Sequence, residues 1–222
     1  LLVEFGTGSG HFMDLAFSNI RIEHVEIDEI WTFVQKKQAR LTEQEKDEDP
    51  TIGDIYLFTA LDKDTKLVPA FVLGKRTKDN AVELAETLAD RIVWRPGARG
   101  DVQVSTDGFP GYPDAIDGAF GQAASHGVLI KNYENPEVGR YAPPKLVDSD
   151  RRDIQNVSDL STICTSHVER HNLTIRTFMR RFTRLALGFS KKLENLEAAV
   201  ALFLAYYNFC WQPRENGKSG RL

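Results

Sequence analysis

The stretch VEIDEIWTFV, residues 25–34, decides how this chain folds. Val, Ile, Trp and Phe crowd the run from Glu23 to Val34, which reads as a β-strand. Asp28 stands in its middle, between Ile27 and Glu29. An ionised carboxylate in an apolar strand is costly unless it is exposed, paired or bound to a metal. Alternation puts Glu26, Asp28 and Ile30 on one face, which is either a solvated sheet face or the floor of a site.

Downstream, the polar residues 35–54, with the charge run Glu43–Asp49, read as a long exposed excursion. Tyr56–Leu61 reads as a second strand, Asp62-Lys63-Asp64 as a turn, and Lys66–Leu73 as a third strand, completing a meander. From Asp79 to Val93 an apolar stripe of Val82, Leu84, Ala85, Leu88, Ala89 and Ile92 predicts a helix ended by Pro96-Gly97. Val102–Thr106 is a short fourth strand, Pro113–Phe120 a brief helix, and Gly127–Ile130 a fifth strand. The order β-β-β-α-β-α-β makes an α/β fold with a mixed five-stranded sheet flanked by helices. Residues 132–161, with Pro136, Pro143, Pro144 and mixed charge from Asp148 to Asp153, read as a long loop. A helix is predicted over Val168–Ala186 with a break at Gly188. An additional C-terminal helix, capped by Ser190, runs to Phe209 with Leu193, Leu196, Val200, Phe203, Leu204 and Tyr207 on its core side.

Upstream, Gly6, Gly8 and Gly10 have the look of a phosphate loop, but no strand precedes them and no lysine follows at the needed offset. A linker or helical edge over 1–22 is the better reading, followed by a catalytic domain over 23–210 and a polar tail over 211–222. The chain starts at Leu1 rather than Met and reads as a piece of a longer protein.

Composition narrows the class. With 222 residues, 41% hydrophobic and 27% charged, the chain suits one folded domain rather than a disordered one. No apolar run approaches the roughly 18 residues of a membrane helix, and nothing at the start resembles a secretory signal. Cys164 and Cys210 are the only cysteines, too few for a disulfide framework or a four-cysteine zinc site, and a cytoplasmic setting fits. The net charge of −4 hides a gradient. Residues 1–60 carry 5 Lys and Arg against 12 Asp and Glu, whereas residues 167–222 carry 10 against 4. A polyanion can lie along the C-terminal portion while an acidic centre sits elsewhere.

Two further carboxylates stand out beside Asp28. Asp107 ends the fourth strand and precedes Gly108, so it is either an ordinary Asp-Gly turn residue or a side chain converging on a ligand at a strand end. Glu169 follows Ser166 at capping-box spacing, which offers a local role at N3 in competition with holding a cation. Together, carboxylates from a first strand, a fourth strand and a later helix can hold two divalent ions about 3.5–4 Å apart, the arrangement used in phosphoryl transfer. Magnesium suits such hard oxygen ligands.

The blocks VEIDEIWTFV, YLFTALDKDTKLVPAFVLGKRT, VSTDGFPGY, SHVERHNLTIRTFMRRFTRLALGFSKKLEN and AVALFLAYYNFCWQPRENGK resemble the catalytic region of IS1-type insertion-sequence transposases, within the DDE transposase and integrase superfamily. The likeness runs from Val25 to Trp211. It implies a ribonuclease-H-like fold with Asp28, Asp107 and Glu169 as the catalytic, metal-holding triad. It implies two Mg2+ ions when DNA is bound, for which Mn2+ can substitute, and no other cofactor. It also implies cleavage at element ends, joining of the freed 3′-hydroxyls to target DNA, and a homodimer or higher oligomer on double-stranded DNA, without a membrane, in the bacterial cytoplasm or nucleoid. Family members carry an N-terminal zinc-binding and helix-turn-helix portion for which this chain has no cysteine spacing.

Around the acids, His167 and His171 flank Glu169 but lack the HExxH order of a zinc helix. His171 and Arg176 are candidate phosphate contacts; an ordinary surface histidine and an intrahelical pair of Arg176 with Asn172 or Glu169 are the competing readings. Arg180, Arg181, Arg184, Lys191 and Lys192 form the remaining DNA-binding candidates, each of which can equally be part of a solvated helix face. Trp31 either closes the core or stacks on a base. Two other functions share these residues: a metal-dependent nuclease that cuts without joining, and a non-enzymatic DNA-binding module.

Overall fold

The computed structural model describes residues 1–95, 97–134, 145–183, 186–211, 214–215 and 218–219. Its centre is a mixed sheet of β1 (His24–Val34), β2 (Gly53–Asp62), β3 (Ala70–Gly74), β4 (Val102–Thr106), β5 (Ala124–Glu134) and β6 (Lys145–Gln155). The strand order is β3-β2-β1-β4-β5-β6. The first three strands form the expected antiparallel meander, β4 and β5 join parallel to β1, and β6 returns antiparallel to β5. Residues 214–215 and 218–219 form a separate short antiparallel pair.

Alternation along β1 divides the interior in two. Val25 and Ile27 face α3 (Lys78–Arg91) and α4 (Tyr112–Phe120), in a core completed by Phe58, Leu84, Leu88 and Ile116. Ile30 and Val34 face the other way, into a core with α1 (Leu2–Ala16), α5 (Ser166–Phe178) and α6 (Leu193–Phe209). Each fully buried aliphatic side chain in these layers stabilises the fold by about 1.5–3 kcal/mol. A short helix α2 (Glu43–Glu48) breaks the excursion after β1, held by a capping box between Thr42 and Glu45. No helix among the described residues is long and apolar enough to cross a membrane.

The sheet has six strands, not five. Residues 145–155, read above as part of a loop, form β6, and β5 is longer than the expected Gly127–Ile130. The strand KLVDSDRRDIQ is solvent-facing along nearly its whole length, so it has no apolar alternation to betray it. Its charged residues are what an outer strand needs to resist pairing with other chains. Pro136, Pro143 and Pro144 lie outside the described residues, as does Pro96.

The C-terminal helices also begin and end differently. The helix expected over Val168–Ala186 stops at Phe178 and is followed by a 3-10 turn over Arg180–Phe182. Thr183 Oγ1 donates to the Arg176 carbonyl at 3.0 Å and Thr32 Oγ1 to the Arg181 carbonyl at 2.5 Å, which draws this segment onto β1. Ser190 is no helix cap: it bridges Val34, and α6 starts at Leu193. Leu196, Val200, Leu204 and Tyr207 are buried as expected, while Leu193 and Phe203 are half-buried.

The glycine-rich start is helical. Gly6 is buried where α1 crosses α6, and a Cβ there would lie 2.3 Å from the Ala198 carbonyl oxygen and 2.4 Å from its Cα. The crossing is a backbone contact that only glycine permits. At the far end of α6, Asn208 exchanges two hydrogen bonds with the Val68 backbone, at 2.9 and 3.0 Å, pinning the helix to the β2–β3 connection.

Candidate active site

The parallel pairing of β1 and β4 covers only His24–Glu26 against Gln103–Ser105, and β4 ends at Thr106. Past that point the two strands part, and Asp28, midway along β1, and Asp107, just past the carboxyl end of β4, lie where they separate, a place where ligands commonly bind in α/β sheets. Asp107 is also a turn residue, because its Oδ1 accepts the Phe109 backbone N–H at 2.9 Å. The two readings of Asp107 are therefore compatible.

Glu169 reaches the same place from α5. The N-terminus of that helix is fixed by a residue on β1: Glu26, 1% exposed, accepts the backbone N–H groups of His167 at 2.8 Å and Val168 at 3.0 Å through Oε2. Its Oε1 takes His167 Nδ1 at 2.6 Å. A carboxylate at a helix N-terminus satisfies otherwise orphaned donors and complements the helix dipole. The expected Ser166 capping box is absent, since the helix cap is Thr165, one residue earlier. Thr165 Oγ1 instead donates to Glu169 Oε1 at 2.6 Å, and Lys131 of β5 forms an ion pair with the same carboxylate. One turn along α5, Asn172 Nδ2 donates to Asp28 Oδ2 at 2.8 Å.

Asp28, Glu29, Asp107, Glu169, Asn172 and Arg176 thus line one cleft of about 550 Å³. The carboxylate oxygens of Asp28, Glu29 and Asp107 lie within 4.8 Å of one another, close enough to share a metal ion, whereas Glu169 stands outside that group. Atoms of Glu26, Cys164 and His167 form a second such cluster. In that cluster the geometry above already gives Glu26 its partners.

Crowding shows in the ionisation of the acids. Burial, then the charges of Glu29 and Asp107, push Asp28 up to about 7, with Glu169 adding to the effect. Burial and Asp107 raise Glu29 against the opposing pull of Tyr112 and Arg76. Burial also raises Asp107, although the Phe109 N–H and Arg76 act the other way. Mutually repelling carboxylates with raised affinity for protons are a site in want of a cation.

Glu29 was not among the residues singled out above. Strand alternation points it away from Asp28, but where β1 runs on without a β4 neighbour both side chains reach the cleft. Tyr112 donates its hydroxyl to Glu29 Oε2 at 2.7 Å, and Arg76 pairs with Oε1. The Arg76 guanidinium also lies 3.7 Å from Asp107 and 4.5 Å from the centre of the Phe109 ring. The sequence signals were the adjacency of Asp28 and Glu29, the alternation that puts Glu26 on the face of Asp28 and the helical spacing of Asn172 from Glu169; for Arg76, Tyr112 and Lys131 the spacing carries none.

The basic candidates separate. Arg176 lines the cleft. Arg180, Lys191 and Lys192 are exposed. Arg181 is half-buried, with Nε donating to Ser190 Oγ at 2.9 Å, a brace for the segment beside β1. Arg184 lies outside the described residues. His171 is a correction: it is 2% exposed, with its ring 4.4 Å from that of Tyr207, so it sits in the core rather than at a surface open to phosphate. His167 faces Glu26 and His171 faces Tyr207, so the two do not join Glu169 in a zinc site. Trp31 is half-buried, neither sealed in the core nor fully open.

Sequence comparison matches residues 144–210 to the IS1 transposase family, a span that includes Glu169 and both C-terminal helices. The chain is 25% identical over 181 residues to the insertion element IS1 2 protein InsB of Escherichia coli K12, covering 81% of this chain and 72% of that protein. The InsB protein of an IS1 element from Shigella sonnei is also 25% identical, with 92% of its length covered. Among solved structures, a piggyBac transposase synaptic complex with hairpin DNA aligns with 84% of this chain and 47% of its own, at 13% identity and a TM-score of 0.34, too loose a superposition to bear on the fold.

Proposed function

This chain carries an IS1-family DDE transposase domain, and we propose that it cleaves DNA at the 3′ ends of an insertion element and joins those ends to target DNA. The convergence of Asp28, Asp107 and Glu169, from β1, the end of β4 and α5, in one cleft carries this reading. The order β3-β2-β1-β4-β5, with three antiparallel strands followed by two parallel ones, supports a ribonuclease-H-like core to which β6 is an outer addition.

The donor set fits magnesium. The acids offer only carboxylate oxygens, and burial together with the neighbouring charges of Glu29 and Asp107 raises the Asp28 pKa to about 7, a penalty on the charged form that a divalent cation relieves. When bound, two such ions supply Lewis-acid stabilisation of the attacking and leaving oxygens of an in-line displacement. Asp28, Asp107 and Glu169 would hold them, with Mn2+ as a substitute.

The chain's own groups do the remaining work. Asn172 fixes the Asp28 carboxylate by its hydrogen bond within the cleft. Lys131 and Thr165 hold the Glu169 carboxylate in place through an ion pair and a hydrogen bond. Arg176 offers a guanidinium to a backbone phosphate entering the cleft, and exposed Arg180, Lys191 and Lys192 extend the cationic surface for double-stranded DNA. Water attacks the first phosphodiester and releases a 3′-hydroxyl, which then attacks the target strand. Each displacement exchanges one phosphorus–oxygen bond for another, so no serine or tyrosine nucleophile is required. Joining two ends calls for a homodimer or higher oligomer on DNA.

The test is cleavage and strand joining on matched element-end DNA with Mg2+, comparing wild type with Asp28→Asn in the full-length protein. Joined products that vanish in the variant are expected. Cutting without joining would make the protein a nuclease, and DNA binding without any reaction would leave a binding module.

A further inference from the structure

β1 continues past the carboxylate cleft. Beyond Glu26 it has no β4 partner, and its edge is next met at Val34, which bridges Ser190. The segment before α6 is held against this extension by the Thr32–Arg181 hydrogen bond of 2.5 Å and by the Gln35 N–H donating to the Ser190 carbonyl at 2.9 Å. Trp31 and Phe33 follow Glu29 on the same face of the strand. With Phe189 they line an open groove of about 290 Å³ that begins one alternation, about 7 Å, from the cleft.

We propose that this groove seats an unpaired nucleobase of the DNA strand leaving the cleft, stacked on Trp31, with the adjoining phosphate on Lys37. The inference rests on DNA being the substrate and adds a second contact for it.

Three rings meet here. Phe33 stacks on Phe189 at 4.9 Å, and Trp31 lies 5.7 Å from Phe33. The Lys37 ammonium sits 5.4 Å from the Trp31 ring centre and 5.9 Å from that of Phe33. A cation there marks an accessible, electron-rich ring face. A base can take that place, and the flexible lysine stem lets the ammonium swing to the phosphate beside it.

The charge around the rings agrees. Lys36, Lys37 and Arg40 line the groove and, among the described residues, no carboxylate does; Lys36 is paired with Glu45 outside it, which leaves Lys37 and Arg40 to face a phosphate. A cationic rim beside stacking rings is the physical signature of a single-strand site, because every base has a π-face and every nucleotide a phosphate. An acidic peptide would answer the charge but leave the rings unused.

Binding of a single-stranded oligonucleotide carrying 2-aminopurine tests the proposal, in EDTA so that no strand is cut. Wild type should bind and quench the probe. Trp31→Ala should bind about tenfold more weakly and lose the quench, while Trp31→Phe keeps most of both. Lys37→Gln should bind less tightly, with a salt slope shallower by about one. Unchanged binding and quenching in Trp31→Ala and Lys37→Gln, with circular dichroism like that of wild type, would overturn this site while leaving duplex binding and strand joining untouched. Equal competition by polyglutamate would overturn it too. Wild type that binds neither single strand nor duplex would remove the DNA reading and this site together.

Discussion

Glu26 and His167, 141 residues apart in the chain, are joined twice: the carboxylate of Glu26 accepts the backbone N–H of His167 at 2.8 Å and its Nδ1 at 2.6 Å. The helix that brings Glu169 to the cleft is therefore anchored two residues from Asp28, on the same face of the same strand. Movement of α5 relative to β1 would part the acids, and this buried cap opposes it.

Glu26→Gln should expose the importance of that anchor. The amide keeps the shape but turns donor groups toward backbone donors and loses the charge. A loss of about 1–3 kcal/mol is expected, or a fall in Tm of several degrees for a chain of this size. Urea unfolding checks it, and a variant as stable as wild type would remove the cap from the account.

Asp28 makes the metal-free protein sensitive to pH. Its folded affinity for protons is raised to about 7 from an ordinary 3.8, chiefly by burial. A raised carboxyl stabilises the fold fully below pH 3.8 and loses that contribution as pH rises through 7. In EDTA, Tm should fall between pH 4 and pH 7, by an amount equivalent to ~1–3 kcal/mol. Adding Mg2+ above pH 7 should restore it. In Asp28→Asn both the slope and the rescue should shrink, and thermal melts across pH with and without Mg2+ decide the matter.

Lys131 is a stand-in cation for Glu169. Replacing it by methionine should tighten Mg2+ binding a few-fold, because the ion no longer competes with a partly exposed ion pair worth under about 1 kcal/mol. Isothermal titration with Mg2+ measures this. Weaker binding would mean that Lys131 positions Glu169 for the ion rather than competing with it.

Two glycines of α1 should respond in opposite ways to alanine. At Gly8 nothing lies within 4 Å of the added Cβ, so helix propensity should stabilise the fold by about 0.5–1 kcal/mol. At Gly6 the Cβ would strike the Ala198 backbone at 2.3 Å, and a net loss of about 1–3 kcal/mol is expected. Paired denaturation curves report both, and equal effects would mean that α1 does not cross α6 at Gly6.

Much of the frame was legible from local pattern. β1, β4 and α3 carry dense apolar residues at the right period, and the structure reproduces them to within a residue or two. The elements that were not legible owe their form to distant partners. β6 is strand only because β5 lies beside it, and its charged faces hide the alternation. The helix starting at Ser166 ends early because Thr32 and Val34 of β1 attract the residues that follow.

The sequence by itself determined which residues could do the chemistry: an acid in an apolar strand, one at a strand end and one at a helix start are conspicuous because each is costly or specific where it stands. Only the tertiary structure decided how they assemble. It turned Glu29 into the same cleft, gave Glu169 to Lys131 and Thr165, put His171 into the core, and fastened α5 to β1 through Glu26. Burial and charge act through space, and a residue's neighbours in space here come from elements up to 195 positions away along the chain.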